Sequence, residues 1–204
     1  SRKKYDGGPY ASMVKILEYT DKLDYLVIAH TQPDESRVDF SGDTVYSGLS
    51  RKLRLTDSPD QVLDMHRWHH KMHASTAFYR SGFESAVAVI VDGAGTYIEM
   101  NISGEQVMTW ELESIFSCEY PDIFKTLYKH QGGRGPWPAI KQTISSEREG
   151  EKGEHEMILD DSAGIVKAYE AATVYCGWNP IEAGKTMGLF PYGKPNDKIP
   201  SIYT

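Results

Sequence analysis

The chain has 204 residues, 40% of them hydrophobic and 25% charged, and a formal net charge of −7. That composition fits one globular domain or two small lobes and excludes a disordered or fibrous chain. No apolar run approaches the roughly 18 residues that a membrane-spanning helix needs. The negative balance weighs against broad nucleic-acid binding, which needs a positive field.

In chain order, Arg2, Lys3 and Lys4 make a basic start, and Pro9 sits where a helix can begin. Met13, Ile16, Leu17 and Tyr19 recur at helical spacing, so a helix is predicted over 9–22. The run 24–30 (DYLVIAH) reads as a strand, and 61–66 (QVLDMH) as another. Between them lies a polar, turn-rich stretch with a short helix expected near Tyr46–Leu53. Ala, Met and Phe at helical spacing predict a helix over 67–80, ended by Ser81-Gly82. SAVAVIVDG (85–93) reads as a buried strand, and 96–104 and 106–112 alternate. With turn residues at Gly93-Ala94-Gly95 and Ser103-Gly104-Glu105, these three are expected to form a meander.

Residues 119–130 (EYPDIFKTLYKH) are expected to be helical, and the Gly, Ser, Glu and Lys mixture of 131–157 to be a mobile loop. A helix is predicted over 161–176, capped by Asp160, Asp161 or Ser162 and closed by Gly177. Asn179-Pro180 opens the glycine-punctuated block 181–193. The two cysteines, Cys118 and Cys176, lie far apart and do not suggest a disulfide scaffold. With a charged start that lacks an apolar stretch, a cytoplasmic setting is expected.

Four of the seven histidines, His66, His69, His70 and His73, fall within eight residues. On a helix His69 and His73 stand one turn apart, and two imidazoles so placed can share a divalent cation. His66, His70 and His73 make an alternative face. The sequence HHKMH lacks the glutamate of a zinc-protease helix. Asp92 is the natural third ligand, at the carboxyl end of a predicted strand, where open sheets place ligands. Gly93 and Gly95 beside it allow close approach to the backbone. The plain alternatives are histidines that merely pack or cap and an Asp-Gly hairpin turn.

HHKMHASTAFYRSGFESAVAVIVDGAG (69–95) resembles the signature of the NodU/CmcH-type O-carbamoyltransferases, whose metal-binding half is similar to the tRNA threonylcarbamoyladenosine synthase subunit. SRKKYDGGPY (1–10) and AYEAATVYCGWNPIEAGKTMGLFPYG (168–193) resemble further blocks of that family. The resemblance implies an α/β fold of the actin-like ATPase superfamily, a ribonuclease-H-like lobe with a mixed sheet and flanking helices, here incomplete. It implies carbamoyl transfer from carbamoyl phosphate, through a carbamoyl-adenylate made with ATP, to a hydroxyl of a sugar or natural-product acceptor.

Carried over residue by residue, His69, His73 and Asp92 fall on the family's metal ligands. Divalent iron is the expected cation, with zinc or manganese as alternatives. His70 is the candidate to orient acceptor or phosphate, or to support the ligands from behind. Gly184 and Lys185 suit contact with the nucleotide phosphate or carbamoyl group, although Glu182 can instead pair with Lys185 at i, i+3. The family commonly has a glutamate where this chain has Thr96. It also has an amino-terminal hairpin and an adenylate-forming domain that this chain lacks, so the chain is expected to be an internal piece, inactive alone. Two other readings are a relative of the tRNA threonylcarbamoylation subunit, and a non-catalytic metal- or nucleotide-binding module completed by a partner chain or by homodimerisation.

Overall fold

The computed structural model describes residues 10–39, 41–102, 104–133, 140–148, 151–160 and 164–198. They fall into two units, Ser1–Gly164 and Ile165–Thr204. The basic residues Arg2, Lys3 and Lys4, the helix start at Pro9, and the caps Asp161 and Ser162 lie outside the described residues.

Helix α1 (Tyr10–Ile16) is shorter than its apolar spacing predicts, and Met13 is its buried residue. Strand β1 (Leu26–Ile28) pairs in parallel with β2 (Val62–Asp64). Parallel neighbours need a crossover, and this one carries α2 (Ser47–Lys52). The buried Asp34 caps α2 from a distance: its carboxylate accepts the N–H groups of Tyr46 and Ser47, both at 3.1 Å. Four unpaired N–H groups open any helix, so a buried carboxylate there is satisfied without a counter-cation. Asp64, at the end of β2, accepts the N–H of Asp34 at 2.8 Å and that of His66 at 3.1 Å.

Helix α3 (His69–Ser81) follows and stops at Gly82, whose φ of 74° is left-handed. Glycine adopts that conformation without a Cβ penalty. Its buried residues His70, Ala74 and Phe78 recur every four positions and mark the face turned to the sheet. Strand β3 (Ser85–Val91) meets this face with Ala86, Ala88 and Ile90, which pack with Ala74, Phe78, Phe116 and Cys118. The small alanines let the helix lie close. The other face of β3 exposes Val87, Val89 and Val91, so this strand is half-buried, not buried throughout. It is an edge strand covered on one side.

The expected meander is not what forms. Strand β4 (Tyr97–Ile102) does not pair with β3; both pair antiparallel with the long β5 (Glu105–Glu119). β3 and β4 thus occupy one edge of β5 end to end, and residues 92–96 interrupt what is otherwise one long strand of a hairpin. The Asp92-Gly93 pair is therefore not a hairpin turn.

Residues 119–130, expected as a helix, belong mostly to β6 (Ile123–Gly133), which lines the other edge of β5. Here Ile123, Lys125 and Leu127 are exposed, while Phe124 and Thr126 turn inward. That period of two fits a pleated strand, and Thr, Phe and Tyr favour it. The expected mobile loop over 131–157 is likewise corrected. Its described residues form the end of β6, β7 (Ile140–Arg148) and most of β8 (Glu151–Asp160). β7 and β8 are antiparallel, and β8 runs parallel to β6. Ladder pairing, not local composition, decides this segment. The resulting six-stranded mixed sheet, order β3-β5-β6-β8-β7 with β4 also on β5, has the expected α/β class.

The second unit holds α4 (Ile165–Tyr175), closed by Gly177 at φ 83°, and α5 (Ala183–Leu189). Between them Asn179 and Glu182 form a capping box around a single 3-10 turn. Thr173, fully buried, joins the helices through a 2.7 Å contact with the Thr186 hydroxyl.

Candidate metal centre

The inward stripe of α3 decides which histidines stand together. Because His70 lies on that stripe, His69 and His73 sit on its flank, beside the end of β3. His69 Nε2 is 3.1 Å from Asp92 Oδ2 and 3.2 Å from His73 Nε2. His73 Nε2 is 3.6 Å from the same carboxylate oxygen. Donors around one first-row cation at bond lengths of about 2.0–2.2 Å stand about 3–3.5 Å apart. The three side chains therefore converge on one point, the only such group found among the described residues. The alternative face through His66 and His70 does not form.

The site stays open to solvent on the His73 side, where that ring is 54% exposed against 16% for His69. The buried Nδ1 of His69 has no hydrogen-bond partner among the described residues, so this ring is oriented through Nε2. Burial pushes the Asp92 carboxyl up, but the hydrogen bonds from His69 and the Gly93 N–H outweigh it and bring its pKa to about 2. An ionised carboxylate with two imidazoles suits iron, zinc or manganese. Bound there, such a cation has room for further ligands on the open side.

His70 is placed differently. Its side chain is 0% exposed and Nδ1 contacts Ser114 Oγ at 2.8 Å. Burial is the main cause that lowers its pKa to about 4, so the ring is neutral at neutral pH. The ring thus has no exposed atom and faces Ser114 on the sheet side of α3.

Gly93 donates its N–H to Asp92 Oδ1 at 2.7 Å. At Gly95 a Cβ would stand 2.5 Å from His70 Nε2 and 2.7 Å from Glu111 Oε2. Internal packing, not room for a ligand, thus demands glycine at that position. Gly184 has nothing within 4 Å of a Cβ position. Lys185 pairs with Glu182 at 2.9 Å and lies 5.7 Å from the Trp178 ring centre. The i, i+3 pairing expected as the alternative is what forms.

Sequence reasoning missed Glu111 and Lys129. They form an almost fully buried ion pair on β5 and β6. Burial pushes the Glu111 carboxyl up, yet the Lys129 ammonium and other partners hold it below the usual range. The pair lines a cleft of about 480 Å³ together with His66, Arg67, Thr96 and Tyr97. The same strands carry Glu113 and His130, and His130 Nε2 lies 2.9 Å from Asp160 Oδ1. Lys129 and His130 are consecutive in β6 and so point to opposite faces. Their partners Glu111 and Glu113 do too, although two residues apart, because a register shift falls between them. Nothing in the local sequence signals that bulge.

A family model described as the carbamoyltransferase N-terminus matches residues 12–203. No curated protein and no solved structure matches the chain significantly.

Proposed function

The chain belongs to the carbamoyltransferase family, matching the model of its N-terminal region, and from that premise we propose O-carbamoyl transfer as its role. Carbamoyl phosphate is the carbamoyl donor: water releases its phosphate, the carbamate formed bonds to the α-phosphorus of ATP as pyrophosphate leaves, and the resulting carbamoyl-adenylate gives its carbamoyl group to a hydroxyl of a sugar or natural-product acceptor. In the transfer step the acceptor oxygen bonds to the carbamoyl carbon. The bond from that carbon to the adenylate oxygen breaks, AMP leaves with the electron pair, and the hydroxyl proton goes to a base.

The observation that carries this reading is the convergence of His69, His73 and Asp92. These side chains would hold a divalent cation, whose chemistry is Lewis-acid polarisation of a bound oxygen. Asp92, already ionised at neutral pH, needs no proton loss to serve. The cleft lined by His66, Arg67, Thr96, Tyr97, Glu111 and Lys129 offers mixed polar and aromatic walls, which suits a hydroxylated acceptor, although none of the three converging side chains lines it. His70 acts as a support. A role for Gly184 and Lys185 at the nucleotide requires a phosphate to share Lys185 with Glu182.

The test supplies the metal-loaded chain with radiolabelled carbamoyl phosphate, ATP and a panel of sugar acceptors, with and without an adenylate-forming domain in trans. Label is expected on an acceptor only when that domain is present, and not with His69→Ala. Transfer that survives His69→Ala removes the assigned chemistry. Carbamoyl-adenylate formation without transfer by the wild-type chain assigns it to the non-catalytic class.

A further inference from the structure

Asp92 reaches the two histidines from a segment with no regular structure of its own. Residues 92–96 are not paired as a strand, yet one end carries a ligand that must be placed to within a fraction of an ångström. Four hydrogen bonds tie them to two residues of β5, and the Thr96 hydroxyl donates to the His66 carbonyl at 2.7 Å. Asp92 N–H donates to the Leu112 carbonyl at 3.0 Å and Gly95 N–H to the Glu111 carbonyl at 2.8 Å. Glu111 N–H donates back to the Thr96 carbonyl at 3.2 Å, and Thr96 N–H donates to Glu111 Oε2 at 2.9 Å. Glu111 thus supplies three of the four, one through its side chain. Its other carboxylate oxygen is held by Lys129.

The same carboxylate also lies near the helix side of the centre, its Oε2 4.0 Å from His70 Nδ1. Glu111 Oε2 and His70 Nε2 both crowd the place where a Gly95 Cβ would stand, and His70 is the neighbour of His69 in α3. One buried carboxylate therefore abuts both pieces of chain that deliver the donors: the start of α3, which brings His69 and His73, and the segment that brings Asp92.

We propose that Glu111, anchored by Lys129, is the positioning residue of the metal centre, setting the separation between the histidine pair and Asp92 without touching the cation. This rests on the metal reading of His69, His73 and Asp92 and adds a residue to it. A charged partner is suited to the task, because a buried carboxylate paired with an ammonium and an N–H is held in one geometry.

The test is Co2+ titration followed by visible absorption, on wild type, Glu111→Ala and Glu111→Gln, at a temperature where circular dichroism shows each folded. Wild type is expected to bind one Co2+ with a ligand-field band that His69→Ala abolishes. Glu111→Ala is expected to weaken binding by about 10- to 100-fold, as losses behind metal ligands do, and to shift the band. Glu111→Gln, which keeps an acceptor for the Thr96 N–H, is expected to recover part of both. Wild-type affinity and an unmoved band in Glu111→Ala overturn the assignment. If Glu111→Ala does not fold, Glu111→Gln carries the comparison, and wild-type binding by it overturns the assignment equally. If neither folds, Glu111 holds the fold and not the ligand, which also overturns it. A wild-type chain without any Co2+ band refutes the metal reading itself and takes this assignment with it.

Discussion

Two histidine–carboxylate clusters share the first unit, and they are built differently. At His69, His73 and Asp92, two ring nitrogens stand 3.2 Å apart and face one carboxylate oxygen. At His130, one ring spends Nδ1 on Glu113 and Nε2 on Asp160. In the first, donors that can bind a cation converge and part of the site faces solvent. In the second, each polar atom of a largely buried ring has a complementary partner. Converging imidazoles and a carboxylate are the arrangement a cation site needs; a ring whose two nitrogens each have a carboxylate partner holds the fold together. The number of histidines and acids alone does not separate the two.

The largest effect that can break this comparison is loss of metal. Elemental analysis after loading with divalent cation is expected to fall from near one equivalent to background in His69→Ala and Asp92→Asn, whereas His130→Gln keeps its metal. Equal loss in all three variants would erase the distinction. Next in size is Lys129→Met, which leaves Glu111 buried and uncompensated. Removing one partner of a buried ion pair costs about 3–5 kcal/mol, read as a lower midpoint in urea unfolding. The double variant Glu111→Leu/Lys129→Met is expected to regain most of that loss.

Smaller still is a pH effect from the second cluster. The hydrogen bond to Glu113 is the main cause that raises the His130 pKa above its ordinary 6.5; burial opposes it and Asp160 adds to it. A group whose folded pKa is raised stabilises the fold fully below the unfolded value. The contribution of His130 is therefore complete below pH 6.5 and fades as pH climbs through the raised value. Thermal unfolding from pH 6 to 9 is expected to show that decline, and His130→Gln to flatten it. The smallest effect belongs to the second unit. Thr173→Val removes the hydroxyl that donates to the Tyr169 carbonyl and contacts Thr186, a loss of about 1 kcal/mol.

Much of the fold was legible where local rules and tertiary contacts agree. Gly82 and Gly177 end their helices in the left-handed conformation, as expected of glycine after an apolar stripe. The strands at 26–28 and 62–64 and the short α2 sit where their residues predict. The failures come from long-range pairing. Residues 123–133 carry Phe, Leu and Tyr at spacings compatible with either period, and only the edge of β5 selects the strand. Glycine and charge in 131–157 suggest a loop, but β7 and β8 pair there.

The same division holds at the candidate metal centre. Helical spacing made His69 and His73 visible, and a strand end made Asp92 visible. Helical spacing alone leaves two faces open; the inward stripe through Ala74 and Phe78, which takes His70, selects between them. Glu111 was hidden, since a bulge in β5 sends it and Glu113 to opposite faces and no local sequence feature marks a bulge.

The most direct measurement is crystallographic: anomalous diffraction from the chain loaded with a divalent first-row cation. One strong peak is expected within about 2.0–2.2 Å of His69 Nε2, His73 Nε2 and an Asp92 carboxylate oxygen. A peak elsewhere, or no peak in crystals whose protein binds the cation in solution, would contradict that site.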